Sequence, residues 1–349
     1  MTPLVSILVP AFNAERWIAE ALSSAVAQTW PRIEIVVVDD GSRDGTVEVA
    51  RGFESRSVRV VTQPNQGAAA ARNTALALAQ GDYIQWLDAD DLLSPNKIGK
   101  QMDAIRGDGD AGSSLLSCGW AYFMADPGRA RFCPTPLWCD LSPAEWMIRK
   151  LGDNLHMQTA TWLVSREITE ATGPWDTRLV VDDDGEYFSR ALRLSAGVKF
   201  VPENGVFYRR RASGRVSIIG RSQRKMAAQL MATRLQIQYL RSLDDGPRAR
   251  GACLRHLQTF ARAWYPERPD IFGEADALAR ELGGKLETPT FSWKYSWIER
   301  LLGVSAAKRA ETGLPLLKLA LLSAVDGLVY RRRGLVQRLR GSVGGARPS

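Results

Sequence analysis

Apolar runs alternate with helical patterns over about the first hundred residues. Val5 to Val9 reads as a buried strand, and Asn13 caps a following helix with the apolar stripe Trp17, Ile18, Ala21, Leu22, Ala25 and Val26. Ile33 to Val38 is a second strand, Gly41 to Gly45 a turn, and a short helix starts at Thr46. A third strand is expected over Val58 to Thr62, then a loop Gln63 to Gly67, an alanine-rich helix from Ala68 to Ala79, and a fourth strand, Tyr83 to Leu87. This alternation predicts an α/β domain with a parallel sheet and right-handed crossovers.

Beyond residue 110 the pattern loosens, with Pro- and Trp-rich connections around Phe132 to Trp146 and a strand expected at Ala160 to Val164. A helix is expected through Tyr187, Phe188, Ala191 and Leu192. After Gly214 the chain turns long and helical, with Met231, Leu235, Ile237 and Leu240 among basic residues. The change of pattern divides the chain into residues 1–215 and a helical region with a basic tail, 216–349.

Two strands end in carboxylates: Val38-Asp39-Asp40-Gly41-Ser42 and Leu87-Asp88-Ala89-Asp90-Asp91. In parallel sheets ligands bind beyond the carboxyl ends of the strands, which places Asp39, Asp88 and Asp90 around one crevice. Hard divalent cations prefer carboxylate oxygen, so the second tip suits Mg2+ or Mn2+. Asp91 reads as a cap for a helix after Leu92. A third acidic group, Asp182-Asp183-Asp184, precedes the helix at Tyr187.

Composition narrows the chemistry. Hydrophobic content of 45% and charge of 24% in 349 residues describe a folded protein with a sizeable core. Two histidines, His156 and His256, leave any metal to carboxylates. The cysteines, Cys118, Cys133, Cys139 and Cys253, have no CxxC spacing and read as reduced cytoplasmic thiols. Neither a signal peptide nor a membrane-spanning run is expected; the nearest candidate, Leu314 to Tyr330, carries Lys318 and Asp326. The net charge is +8, with a tail containing Arg331, Arg332, Arg333, Arg338, Arg340 and Arg347. Such a tail is a solvated end or a contact for anionic lipid or nucleic acid.

Four ordered blocks resemble a family 2 glycosyltransferase of the GT-A fold: Val5 to Asn13, Glu34 to Thr46, Asn65 to Asn73, and Gly81 to Asp91. The resemblance covers residues 3 to 215 and implies a Rossmann-like, mostly parallel sheet flanked by helices, with a helical C-terminal extension. It implies that Pro10, Ala11 and Phe12 wall the nucleotide base, Asp39 accepts from the base edge, Arg72 lies near base or phosphates, Asp88 near the ribose, and Asp90 holds the metal. The family carries Glu-Asp at the start of a helix with an Arg seven residues after the Glu. Asp183-Asp184 followed by Arg190 fits that spacing. Asp184 is therefore the candidate base for an inverting displacement, with Asp183 its rival and Asp182 behind both. Where relatives read Tyr-Arg-x-His, this chain reads Tyr208-Arg209-Arg210-Arg211, so Arg211 is expected to clamp a phosphate in place of the metal-binding His.

The implied function is metal-dependent transfer of a sugar from a nucleotide-diphosphate donor, UDP-linked first, to a hydroxyl-bearing glycan or glycolipid, in surface polysaccharide synthesis. A cytoplasmic protein, peripheral on the inner membrane face, fits that role. The competing reading is a degenerate sugar-nucleotide- or nucleic-acid-binding module; intact Asp90 and Asp184 argue against it, and the tail lacks interleaved aromatics. A dehalogenase-like phosphatase would need Asp-x-Asp-Gly where Asp39-Asp40-Gly41 stands, and a dinucleotide enzyme would need GxGxxG after the first strand. His156 reads as a structural or acceptor-side residue, and Trp120, Trp138, Trp146 and Trp175 as core, one or two of them able to stack on an acceptor sugar. Trp293, Trp297, Leu301 and Leu302 share one helical face, which packs on the main domain or meets a membrane.

Overall fold

A computed structural model describes residues 2–106, 111–210, 219, 222–290, 293–311, 313, 314, 318 and 322. Its first half is built from β1 (Val5–Ala11), α1 (Ile18–Val26), β2 (Ile33–Asp39), α2 (Thr46–Arg51), β3 (Val58–Thr62), α3 (Ala68–Leu78) and β4 (Tyr83–Trp86). β1 and β2 are almost continuous runs of Val, Ile and Leu that are nearly solvent-free. Strands covered on both faces need that composition. The register sets Leu8 beside Val36 and Trp86, and Ala11 beside Asp39. The tips of β1 and β2 therefore end level.

The chain continues through β5 (Leu92–Leu93), α4 (Lys97–Arg106), β6 (Ser114–Phe123), β7 (Arg131–Phe132), α5 (Pro143–Gly152), β8 (Leu163–Ser165), α6 (Arg166–Thr172), α7 (Asp183–Arg193) and β9 (Gly197–Arg209). The helices α8 (Gln223–Leu243), α9 (Pro247–Trp264), α10 (Pro269–Glu281) and α11 (Trp293–Leu302) follow. The strands form one sheet in the order β3-β2-β1-β4-β8-β6-β9-β5, with β7 off this path. The sheet is mixed. β3, β2, β1 and β4 run parallel, while β8 joins β4 antiparallel, so the irregular middle of the chain supplies the antiparallel half. Direction of growth reverses at β1, whose neighbours are β2 and β4, and such a switch point opens a crevice at the carboxyl ends.

By contacts, one compact unit comprises residues 1–120, 132–208 and 216–289, and a second comprises 121–131, 209–215 and 290–349. The change of sequence pattern near residue 215 does not coincide with a change in packing, because α8 packs on α7 and α9 packs on α5 within the first unit. Its core holds a chain of ring contacts: Trp146 on Trp162, Trp162 stacked on Phe188, and Trp175 stacked on Tyr187 with centroids 4.1 Å apart. None of the four cysteines is disulfide-bonded. No described helix is long and apolar enough to cross a membrane.

Three local expectations are corrected. Asn13 does not cap α1; its side-chain oxygen accepts from the Arg43 N–H and its own N–H donates to the Ser42 hydroxyl, tying the loops after β1 and β2 together. Asp91 does not cap a helix either, because Leu92–Leu93 is a strand and α4 starts at Lys97. Its buried carboxylate accepts from the Gln158 amide. The expected strand at Ala160 to Val164 is a 3-10 turn over Thr159–Thr161 followed by β8.

Candidate active site

The tips of β1, β2 and β4 form one side of the site. Asp39 ends β2, and its Oδ2 accepts from the N–H groups of Gly41 and Ser42, as Asp side chains do at turn starts. Its Oδ1 is buried with no hydrogen-bond partner. A buried carboxylate oxygen left unmatched is costly, so this atom is poised to accept from a ligand. Asp40 takes a scaffold role: it accepts from the N–H groups of Gln66 and Gly67 and from the Gln63 amide, drawing the loop before α3 onto the tip of β2. Gly41 permits this approach. Its φ is +73°, and a Cβ there would stand 2.9 Å from the Asn65 nitrogen. At the end of β1, Ala11 is buried, Pro10 half-buried, and Phe12 is 49% exposed beside Asp39's strand end.

The tip of β4 closes as a turn in which the Asp91 N–H donates to the Asp88 carbonyl. Asp88 and Asp90 are both half-buried there. Arg72 of α3 connects this tip to the third acidic group. Its guanidinium donates to Asp88 Oδ1 at 3.0 Å and to Asp183 Oδ2 at 2.6 Å, and lies over the Trp175 ring at 4.4 Å. Asn73 fixes Trp175 from below by exchanging two hydrogen bonds with its backbone. Burial works against the charge of Arg72, but the carboxylates of Asp183, Asp88 and Asp184 overcome it and raise its pKa. Both ends of the guanidinium are thus taken by carboxylates.

The first turn of α7 forms the opposite side. Burial pushes the Asp183 carboxyl up, Arg72 opposes this, and the charges of Asp184 and Asp88 add to the rise. Asp184 Oδ2 accepts from the Thr159 hydroxyl at 3.2 Å, and its Oδ1 accepts from the Gly185 N–H. Asp182 points elsewhere, towards Gln229 and Gln236. Nearby in sequence to Thr159, the exposed ring of His156 lies 5.3 Å from Trp120 and 5.7 Å from Tyr208. Trp146 and Trp175 are core, as expected.

Asp39, Arg72, Asp88, Asp90, Asp183 and Asp184 all lie within the first compact unit. Direct bonds join Asp88, Arg72 and Asp183. Arg211 lies outside the described residues. Thr159 and Asn73 had no assigned role from sequence, and Trp175 was read as core and not as the platform under Arg72; Asn73 carried a signal, as the last residue of the block ending Ala71-Arg72-Asn73.

For a cation, the donor set at the β4 tip is hard carboxylate oxygen. Among the described residues no three metal-type side chains converge into a cage. A Mg2+-type ion is ordinarily held by one or two carboxylates with substrate phosphates completing the shell, and Asp90 with its tip fits that arrangement.

Comparison with known proteins gives this geometry a lineage. Residues 6–138 match the family described as Glycosyl transferase family 2. The putative teichuronic acid biosynthesis glycosyltransferase TuaG of Bacillus subtilis is 40% identical over 104 residues, 29% of this chain and 41% of that protein. The putative glycosyltransferase EpsH of the same organism is 31% identical over 232 residues, 64% of this chain and 65% of that protein. The chain spans between 17% and 65% of the length of such curated relatives. Among solved structures, S. aureus TarS 1-349 in complex with UDP-GlcNAc superposes with a TM-score of 0.64 at 17% identity, over 82% of each chain, which is a likeness of fold. Residues 6–138 thus match glycosyl transferase family 2, and the fold around them is of the GT-A kind.

Proposed function

We propose that the chain is a metal-dependent, inverting glycosyltransferase that moves a sugar from a nucleotide-diphosphate donor, UDP-linked in the first instance, to a hydroxyl of a glycan or glycolipid. The observation that carries this reading is Arg72, which bridges Asp88 on the donor-side strand tip and Asp183 at the start of α7. One buried cation thereby fixes the donor side against the turn that carries the candidate base.

The exposed Phe12 ring, with Pro10 and Ala11, walls the base, and Asp39 Oδ1 accepts the N3–H of uracil. Asp88 takes the ribose, and Arg72 serves the nucleotide through Asp88. Asp90 holds Mg2+ or Mn2+, which when bound offsets the charge growing on the diphosphate as it leaves. Arg211 shares that neutralisation. Asp184 takes the proton of the acceptor hydroxyl while its oxygen forms the new bond to the anomeric carbon and the bond from that carbon to the diphosphate oxygen breaks. Attack opposite the leaving group inverts the anomeric centre. Thr159 orients Asp184 by donating its hydroxyl proton. Asp183, already committed to Arg72, is the less available proton acceptor.

A thermal-shift screen of nucleotide sugars with Mn2+ or Mg2+, followed by product analysis, tests the reading. Asp184→Asn is expected to keep donor stabilisation and lower turnover by about 10²–10⁴-fold. Unchanged turnover would remove Asp184 as the base, and no stabilisation by any donor would remove the transferase reading.

The relative TuaG, a putative teichuronic acid biosynthesis glycosyltransferase, supports a role in surface polysaccharide assembly. Charge favours a peripheral membrane contact by a cytoplasmic protein: residues 290–349 hold eleven Lys and Arg against three Asp and Glu, the whole net charge of +8. α11 adds Trp293, Trp297, Leu301 and Leu302, each more than half exposed. Tryptophan and leucine beside basic residues are the usual composition of a helix lying at a lipid surface.

A further inference from the structure

The mechanism above leaves Asp182 without a task, yet it is the most constrained of the three acids. Its backbone is left-handed, with φ +55°. Its Oδ2 accepts from two amides of α8, Gln236 Nε2 at 2.7 Å and Gln229 Nε2 at 3.1 Å. Gln236 is fixed in turn, because its Oε1 accepts from Lys150 Nζ of α5 at 3.0 Å. The Asp182 carbonyl accepts the Glu186 N–H and starts α7. Gly185 makes room for this arrangement: a Cβ there would stand 2.1 Å from Asp182 Oδ1 and 3.3 Å from Gln236 Nε2. α8 grips the same turn again at Glu186, which is buried and accepts from the Tyr239 hydroxyl at 2.8 Å. Between the two grips stand Asp183 and Asp184, whose side chains bond to Arg72 and Thr159 instead.

A short acidic side chain reaches only where its backbone puts it, and reaction geometry tolerates displacements of well under an ångström. We infer that Gln229 and Gln236 of α8, with Lys150 of α5, are positioning residues that hold Asp182 in its left-handed conformation and through it set where Asp183 and Asp184 stand. The inference rests on reading Asp183 and Asp184 as the acid pair of the proposed transferase. It extends the working machinery into α8, about ninety residues beyond the segment that carries the family match.

Burial pushes the Asp182 carboxyl up, and Lys150 with the amides of Gln236 and Gln229 opposes this, so the same three side chains that fix its position also support its charge.

The test uses the full chain carrying Gln236→Met, which keeps length and loses both hydrogen bonds. Amide hydrogen exchange of residues 183–187 is expected to rise by about tenfold with β1 to β4 unchanged, and kcat to fall by about tenfold or more with donor KM within about twofold. Asp182→Ala is expected to behave like Gln236→Met. Asp182→Asn keeps the acceptor oxygen and tolerates the left-handed backbone, so kcat should return to within about threefold of wild type. Wild-type exchange at 183–187 in Gln236→Met overturns the inference whatever the transfer assay shows. Raised exchange with wild-type kcat also overturns it, and so does a parallel loss of donor affinity. Raised exchange in a protein that turns over no donor supports the positioning of α7 while removing the transferase reading.

Discussion

Asp39 divides its two oxygens between structure and ligand. Oδ2 is spent on the Gly41 and Ser42 amides, which holds the carboxylate in one orientation, and Oδ1 is left buried without a partner. Next to it Phe12 keeps half its surface exposed at the end of β1. Base–aromatic stacking is worth about 1–3 kcal/mol per base, so Phe12→Ala should weaken UDP binding by about 5- to 150-fold while leaving the fold intact. Isothermal titration on the variant checks this, and unchanged affinity would take Phe12 out of the nucleotide wall. The acidic residues at the strand tips were legible in the sequence because strand, turn and carboxylate are adjacent there. Thr159 was not, because its bond to Asp184 spans 25 residues and a lone threonine carries no local signal.

At the scale of elements, α3 and α7 meet through one guanidinium. Arg72 has 8% of its side chain exposed and faces Asp88 and Asp183, residues 16 and 111 positions away. Removing one partner of a buried ion pair costs about 3–5 kcal/mol because the remaining charges are left uncompensated. Arg72→Ala should lose stability on that scale in urea denaturation, and the double variant Arg72→Ala with Asp183→Asn should recover part of it, since one uncompensated charge is then gone. Additive losses would mean that the two groups do not act as a pair. The alternating pattern fixed α1 to α3 and β1 to β4 within a few residues, because each buries one continuous apolar face. It failed at β8, where the strand is three residues long and follows a 3-10 turn. Runs that short carry no period to read.

Over the whole molecule, charge is divided unevenly. Residues 1–289 hold 35 Lys and Arg against 35 Asp and Glu, and residues 290–349 hold the excess. Flotation with vesicles should therefore show binding to phosphatidylglycerol-containing membranes that weakens as salt rises, little binding to pure phosphatidylcholine, and a loss with Trp297→Ala and Leu301→Ala together. Salt-independent binding, or none, would remove the peripheral contact from the proposal. The break of pattern near residue 215 was visible in sequence, but α8 and α9 pack on α7 and α5, so these two helices belong to the unit that holds the site.

By itself the sequence determined the α/β order, the tip carboxylates and the match of residues 6–138 to a family, because these depend on residues close together in the chain. Tertiary structure alone decided how the three adjacent acids differ. Asp182, Asp183 and Asp184 are one residue type in one run, yet they face the amides of α8, the guanidinium of Arg72 and the Thr159 hydroxyl respectively. A helix turn sends successive side chains in directions about 100° apart, and what waits in each direction is set by distant parts of the chain.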